Sequence, residues 1–197
     1  MLKKMAMTTL FASSLLLAES GVGININEKD LEVEGILDSR NLAILQTSST
    51  IYQADFNFLN VDSEKKLLGA GLGATNKLEG VEGVELTFGA KFIWADDNLD
   101  YTDNFLAVPL MAKVRYNFPP LLYNIPPVAV ESKVLYAPKV LGFGDAENYS
   151  EFRVSADIEM IEQVRVYVGY RNIKTKYNNF TESILDNSFY AGLKVSY

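Results

Sequence analysis

The chain ends on the stretch SFYAGLKVSY, residues 188–197, in which apolar and polar or small side chains alternate. Phe189, Leu193 and Val195 fall on one set of alternate positions, and Lys194 and Ser196 fall on the other. Because successive side chains of a β-strand point to opposite faces, this stretch predicts a strand with one apolar and one polar face.

The same period of two runs through the chain upstream. It is clear in EFRVSADIEM at 151–160, VRVYVGYR at 164–171 and VELTFGAKFIW at 84–94, where no charge falls on the apolar face. Most segments of this kind have 10 to 14 residues, which suits tilted membrane strands of about 9–11 residues with some overhang. Ten strands are predicted: 21–27, 30–37, 49–60, 65–76, 83–95, 105–118, 127–137, 148–160, 163–174 and 188–197. The first two are short, and without them the count is eight; both counts are even, as in single-chain bacterial barrels.

The N-terminus has the layout of a secretory signal peptide. Lys3 and Lys4 precede an apolar run from Met5 to Leu17, which is too short for a membrane-spanning helix. Small residues follow, and cleavage is expected after Ser20, with Ala18 as an alternative. We therefore divide the chain into a signal peptide, 1–20, and a single β-barrel domain, 21–197.

Composition removes several classes of function. The chain has no Cys and no His, which excludes disulfides, thiol nucleophiles, Cys/His zinc sites and an imidazole base. Acid–base chemistry with Asp and Glu alone is the only enzymatic route left, so we predict no enzyme activity, no cofactor and no metal site. The carboxylates of 96–104 are interpreted as a solvated loop, because they lack EF-hand spacing. A net charge of −7 argues against nucleic-acid binding.

The alternation permits either a soluble lipocalin-like barrel or a membrane barrel. Aromatic residues such as Trp94, Tyr116 and Phe118 lie towards strand ends, as in interfacial girdles. Connections are expected to alternate between short, as after Met160, and long, as over 175–187. We therefore predict an all-β fold: a closed antiparallel up-and-down transmembrane β-barrel of ten strands, with eight as the alternative.

Two details of the wall can also be predicted. Pro109 falls inside a strand, so we expect a bulge there, or a strand that pairs fully only after it. Gly69, Gly71 and Gly73 fall on the inward face, where they allow curvature and leave room for long basic side chains from the opposite wall.

Several motifs resemble the YfaZ family of outer-membrane proteins. The resemblance is carried by LYAP at 135–138, NY at 148–149 with Glu151, VGYRNI at 168–173 and GAGLG at 69–73. It implies a small, porin-like outer-membrane barrel of a Gram-negative bacterium and little about function. The chain departs from the family between 37 and 49, where the connection is longer.

The inward face is predicted to carry eight acidic and eight basic residues. They are Glu32, Glu34, Asp55, Glu85, Lys91, Lys113, Arg115, Glu131, Lys133, Glu151, Arg153, Asp157, Glu159, Arg165, Arg171 and Lys194. A barrel of about eight to ten strands is just wide enough for side chains or one small ligand. Charges of both signs are therefore expected to pair across strands.

We interpret the chain as a cell outer-membrane barrel of structural or undefined role, with a salt-bridged and plugged lumen. The alternatives are a narrow porin-like channel for ions or small solutes, and a surface binding or adhesion barrel acting through its outer loops. The expected partners are outer-membrane lipid, lipopolysaccharide and the barrel-assembly machinery, the last through the C-terminal strand ending at Tyr197. A monomer is expected.

Overall fold

The computed structural model describes residues 20–39, 50–62, 64–96, 105–119, 126–178 and 182–196. The predicted signal peptide, apart from Ser20, lies outside these residues. Tyr197 and all but Asp96 of the predicted acidic loop also lie outside them.

The described chain folds into twelve β-segments. They are β1 (Gly21–Ile26), β2 (Asp30–Asp38), β3 (Ile51–Val61), β4 (Lys65–Lys77), β5 (Val84–Asp96), β6 (Phe105–Ala107), β7 (Leu110–Asn117), β8 (Val128–Ala137), β9 (Gly142–Gly144), β10 (Ala146–Ile161), β11 (Val164–Tyr177) and β12 (Glu182–Ser196). The β-branched and aromatic residues that dominate the outward positions favour this extended conformation.

These segments form ten barrel strands, because two strands are each interrupted once. β6 and β7 are the two parts of one strand, and β8 and β9 are the two parts of the next, separated by a 3-10 turn at Lys139–Leu141. Every neighbouring pair is antiparallel, and β1 pairs with β12 from Gly21 opposite Ser196 to Ile26 opposite Ala191. The predicted closed, ten-stranded antiparallel barrel is confirmed.

The irregularity near Pro109 lies in the neighbouring strand. The β6–β7 strand keeps one register with β5 on both sides of Pro109, whose carbonyl accepts the Lys91 N–H at 3.0 Å. On the other side, towards β8 and β9, Leu110 pairs with Tyr136 and Ala107 pairs with Gly142. Between these two pairs the strand of Pro109 has residues 108–109 and its neighbour has residues 137–141, so the extra residues belong to the neighbour. A bulge in the strand of Pro109 itself was therefore the wrong expectation. Proline has no N–H to donate, and because Pro109 stands opposite Lys91 the missing donor faces β5, whereas the 3-10 turn lies on the other side of the strand.

The last hairpin is longer than predicted. β11 continues to Tyr177 and β12 begins at Glu182, so the expected long loop over 175–187 is wrong. Ile173 pairs with Asp186 and Lys174 with Ile184, which leaves Leu185 as a bulge. Leu185 and Asp186 are consequently both buried, which breaks the alternation that defines a strand in the sequence.

Connection lengths also differ from expectation. Strands meet at a termini end, which holds Gly21 and Ser196, and at a far end opposite to it. The tight turn after Met160 shares the termini end with the longest connections, and the far end has mostly short ones. The connections are 39–50, 78–83, 118–127 and 162–163 at the termini end, and 27–29, 62–64, 97–104, 145 and 178–181 at the far end.

The wall is uneven in height at the far end. Strand length rises from 6 residues in β1 to 16 in β10. Because β1 pairs only with Ala191–Ser196, the first nine residues of β12 extend beyond the β1–β2 turn. Asn27 and Lys65 bridge this step, donating to Ser188 Oγ at 2.8 Å and to the Ile184 carbonyl at 2.9 Å. No helix in the described ranges has the length and apolar character needed to cross a membrane.

Closure between the first and last strands can be tested by cross-linking. Val22 and Val195 face each other in the β1–β12 pair, and opposed antiparallel residues lie about 4.5–5.5 Å apart at Cα, within disulfide range. Since the chain has no Cys, the double variant Val22→Cys, Val195→Cys should form one internal disulfide under oxidation, visible as a gel shift reversed by reductant. The control pair Val22→Cys with Val166→Cys, one strand further away on β11, should not cross-link. Equal cross-linking of both pairs would contradict the assigned closure.

Candidate functional site in the barrel lumen

All sixteen predicted charged residues lie at inward positions. Thirteen of them line a single lumen cavity, and Glu32, Glu151 and Arg171 are buried beneath it, each 2% exposed or less. The period of two places these sixteen charged side chains on one face of the wall, but the partners of each charge depend on the three-dimensional arrangement.

Glu32 is the centre of the buried network. It extends from β2 across the lumen and accepts hydrogen bonds from both terminal nitrogens of Arg153 on β10, at 2.9 and 2.8 Å. It also accepts from Arg171 on β11, and from the amides of Asn25 and Asn57 at 2.8 Å each. Its side chain is 0% exposed, so the carboxylate depends on these five donor nitrogens, from four side chains, in place of water.

The register explains why such an acceptor is needed. Lys113, Lys133, Arg153 and Arg171 occupy directly opposed inward positions on four successive strands. Like charges placed directly opposite each other on neighbouring strands are destabilising. Glu32 contacts both arginines of this row from the opposite wall. A carboxylate on one of their own strands, such as Glu151, contacts only one of them.

Further carboxylates complete the arginine pairs. Glu151 accepts from Arg153 and also from the Tyr149 hydroxyl, at 2.6 Å for the latter. Asp186, which the Leu185 bulge turns inward, accepts from Arg171. Arg153 is therefore held by two acidic residues and Arg171 by three, since Asp30 also lies 3.6 Å from Arg171; this arrangement makes a buried charge tolerable.

A second, more exposed network lies nearer the termini end. Asp157 accepts from Arg115 and Arg165 at 2.9 Å, and Arg165 also pairs with Glu159 at 2.8 Å. The tight turn between β10 and β11 brings Asp157 and Glu159 close to Arg165 on the next strand. The Arg165 side chain is 29% exposed, so this network is wetter than the one around Glu32.

Glycines on β4 make room for a third pair. A Cβ at Gly71 would collide with the Asp55 carboxylate, and one at Gly69 with the Lys91 side chain. Lys91, from the adjacent strand β5, crosses this bare surface to donate to Asp55 on β3 at 2.5 Å. The side chains that use this space therefore come from neighbouring strands, whereas the sequence interpretation placed them on the opposite wall.

The far half of the lumen is filled by an apolar seal, which sequence analysis missed. Its larger members come from eight barrel strands and are buried: Leu59, Leu67, Ile93, Phe105, Leu135, Tyr149, Ile173, Tyr177 and Leu185. Phe105 packs edge-on against Tyr177, with ring centroids 5.3 Å apart. The signal was present as unbroken apolar runs where the alternation stops, as at 92–95 and 134–137.

These layers leave a cavity open towards the termini end. Its volume is about 450 Å³, and it is lined by polar and charged residues from Glu34 and Gln53 to Arg165 and Lys194. Below it lie the Glu32 network and then the apolar seal. Within the described ranges no group of three or more acidic residues is arranged to hold a metal ion.

Comparisons with known proteins find one family model and several solved structures. The family model described as "YfaZ precursor" matches residues 2–197. A bacterial polysaccharide outer membrane secretin is 8% identical, with 90% of this chain and 69% of that chain covered and a TM-score of 0.46. The outer membrane channel DcaP of Acinetobacter baumannii is 11% identical, with 89% of this chain and 54% of that chain covered and a TM-score of 0.43. The search of curated proteins gives no significant match.

The Glu32 network predicts a strong, non-additive effect on stability. Glu32→Gln should lower the free energy of unfolding by about 3–5 kcal/mol, because two buried arginines lose their shared carboxylate. Adding Arg153→Met should recover part of this loss. Lys29→Gln, which removes the exposed 3.7 Å pair with Asp62, is the control and should cost less than about 1 kcal/mol. Urea titration of the folded barrel in detergent, followed by heat-modifiable gel migration, measures all three; equal effects of Glu32→Gln and Lys29→Gln would contradict the network.

Proposed function

The chain belongs to the YfaZ precursor family, and from this premise we propose that it is an outer-membrane β-barrel with a structural role and a lumen closed to ions. The single observation that carries the proposal is the layered lumen, in which the apolar seal and the Glu32 network block the path between the two ends. The role proposed for the charges is structural and not catalytic.

The outward face supports a membrane environment. Large apolar residues are exposed around the whole barrel, among them Phe88 at 63%, Val168 at 61% and Phe189 at 78%. Soluble monomers rarely expose contiguous apolar patches beyond a few hundred Å², whereas a membrane barrel presents an apolar band about 25 Å tall. Lipid and lipopolysaccharide are the partners proposed for this band.

Outward charges mark the edge of the band. On the outward positions of the described strands, charged residues occur only towards the far end, where Lys174 pairs with Glu182 and Lys176 with Glu147. Just below them Tyr170 packs against Phe189, with ring centroids 5.2 Å apart. At the termini end Tyr116 packs edge-on against Phe118 at 4.7 Å. Aromatic girdles of this kind are typical of membrane–water interfaces.

The other proposed partners follow from the same face. Outward Phe189, Leu193 and Val195 on β12 give the last strand the character of a recognition segment for the barrel-assembly machinery. Adhesion through outer loops has little support, since far-end connections such as 27–29 and 62–64 are short. A monomer remains the proposed state.

Charge on the outward face should be costly if that face contacts lipid. Val168 occupies the middle of the outward positions of β11 that precede Lys174, opposite Ala156 and Ala191, and Val168→Arg should lower the free energy of unfolding in lipid vesicles by about 2–4 kcal/mol. Gln53→Arg, which points into the cavity opposite Asp38, is the matched control and should be milder. Equal costs, or recovery of the wild-type protein only in the soluble periplasmic fraction, would contradict the membrane proposal.

Conductance tests the closed lumen. The wild-type protein in planar bilayers should show no steady ion conductance, because the apolar seal excludes water. Arg165→Ala should stay closed, since Arg165 lies in the wetter network above the seal. Phe105→Ala combined with Tyr177→Ala should introduce conducting events, because these two rings pack together in the seal. Steady conductance by the wild type would favour the narrow-channel alternative.

A further inference from the structure

Three lysines in the cavity lack the carboxylates that hold the arginines. Lys113 has one acidic neighbour, Glu131, at 3.9 Å. No carboxylate oxygen of the described residues lies within 4 Å of the Lys133 or Lys194 ammonium group. All three line the cavity of about 450 Å³.

The lysines converge on one place. Lys113 and Lys133 are directly opposed on β7 and β8, and Lys133 and Lys194 both act electrostatically on Glu131. Glu131 is also approached by Arg115 at 3.5 Å, but that arginine is shared with Asp157 at 2.7 Å. Glu131 is the one carboxylate of the described residues within 4 Å of Lys113; Asp55 acts on Lys113 and Lys133, and Glu34 on Lys194, only from a longer range.

The position of this cluster limits what can balance it. The cavity ends blindly on the Glu32 network and the apolar seal, so anything that enters must leave by the termini end. Cations left beside one another in a narrow blind pocket are unfavourable unless a counter-charge joins them. An ammonium group acts as a point charge with three donors, which suits the oxygens of a tetrahedral oxyanion.

We propose that the cavity binds a small oxyanion of phosphate type, held by Lys113, Lys133 and Lys194. The chemistry that the site recognises is a doubly charged group with several acceptor oxygens, which both inorganic phosphate and the phosphate group of a small molecule supply. Glu131 competes with it for the same ammonium groups, so the site binds the anion against an internal carboxylate.

Calorimetric titration of the detergent-folded protein with inorganic phosphate tests this. One phosphate should bind per barrel, and Lys133→Gln should weaken binding about tenfold through loss of a charged donor. Glu131→Gln should tighten binding, because the competing carboxylate is gone. Lys139→Gln, an exposed lysine of the 3-10 turn outside the cavity, is the control and should bind like the wild type.

The contrary outcomes are distinct. Absence of heat with phosphate, equal binding of chloride and phosphate, or unchanged binding by Lys133→Gln would each overturn the proposal. Weaker binding by Glu131→Gln would also overturn it, since the carboxylate would then be part of the contact. If Lys133→Gln fails to show heat-modifiable migration, Lys194→Gln takes its place with the same expectation. A calcium titration that gives binding where phosphate gives none would assign the cavity to cations. Titration with glycerol 3-phosphate separates a free ion from a phosphorylated small molecule.

Discussion

Glu32 stabilises this barrel through contacts that no local structure provides. Its carboxylate, 0% exposed, joins β2 to Arg153 and Arg171 on the opposite wall. Hydrogen bonds between neighbouring strands are enough to form the wall of a barrel. A filled lumen also needs side chains of opposite charge that meet across it. An unpaired buried charge costs several kcal/mol, so this network is favourable only when every member is in place. The contacts of Glu32 therefore tie closure of the wall to filling of the interior.

The lumen has layers that differ in the side chains pointing inward from each part of the strands. Towards the far end the inward residues are apolar and pack into the seal. In the middle, arginines and carboxylates pair closely, and near the termini end the same residue types surround a wet cavity. The effective dielectric constant therefore changes along the barrel. An unpaired lysine beside the cavity costs less free energy than an unpaired arginine in the Glu32 layer.

The stepped far end follows from strand lengths and from bulges. β10, β11 and β12 extend past the apolar band, where their outward residues become charged and pair along the sheet. The Leu185 bulge turns Asp186 inward to reach Arg171, so one inserted residue serves both the shape of the wall and the charge balance of the interior. Side chains from Asn27 and Lys65 bond to the part of β12 that β1 does not reach.

Residue order alone predicted a closed antiparallel barrel of ten strands, with eight as the alternative, and placed sixteen charges on one face, because a period of two assigns each side chain to a face without knowledge of its neighbours. Partners within one hairpin, such as Arg165 with Asp157 and Glu159, could also be predicted from sequence. Tertiary structure alone decided which charges meet across the lumen, since Glu32 and Arg153 are 121 residues apart and the relation depends on barrel closure and stagger. It also decided the seal and the Leu185 bulge, because inward apolar residues look like the outward ones in sequence and an inserted residue looks like the end of a strand.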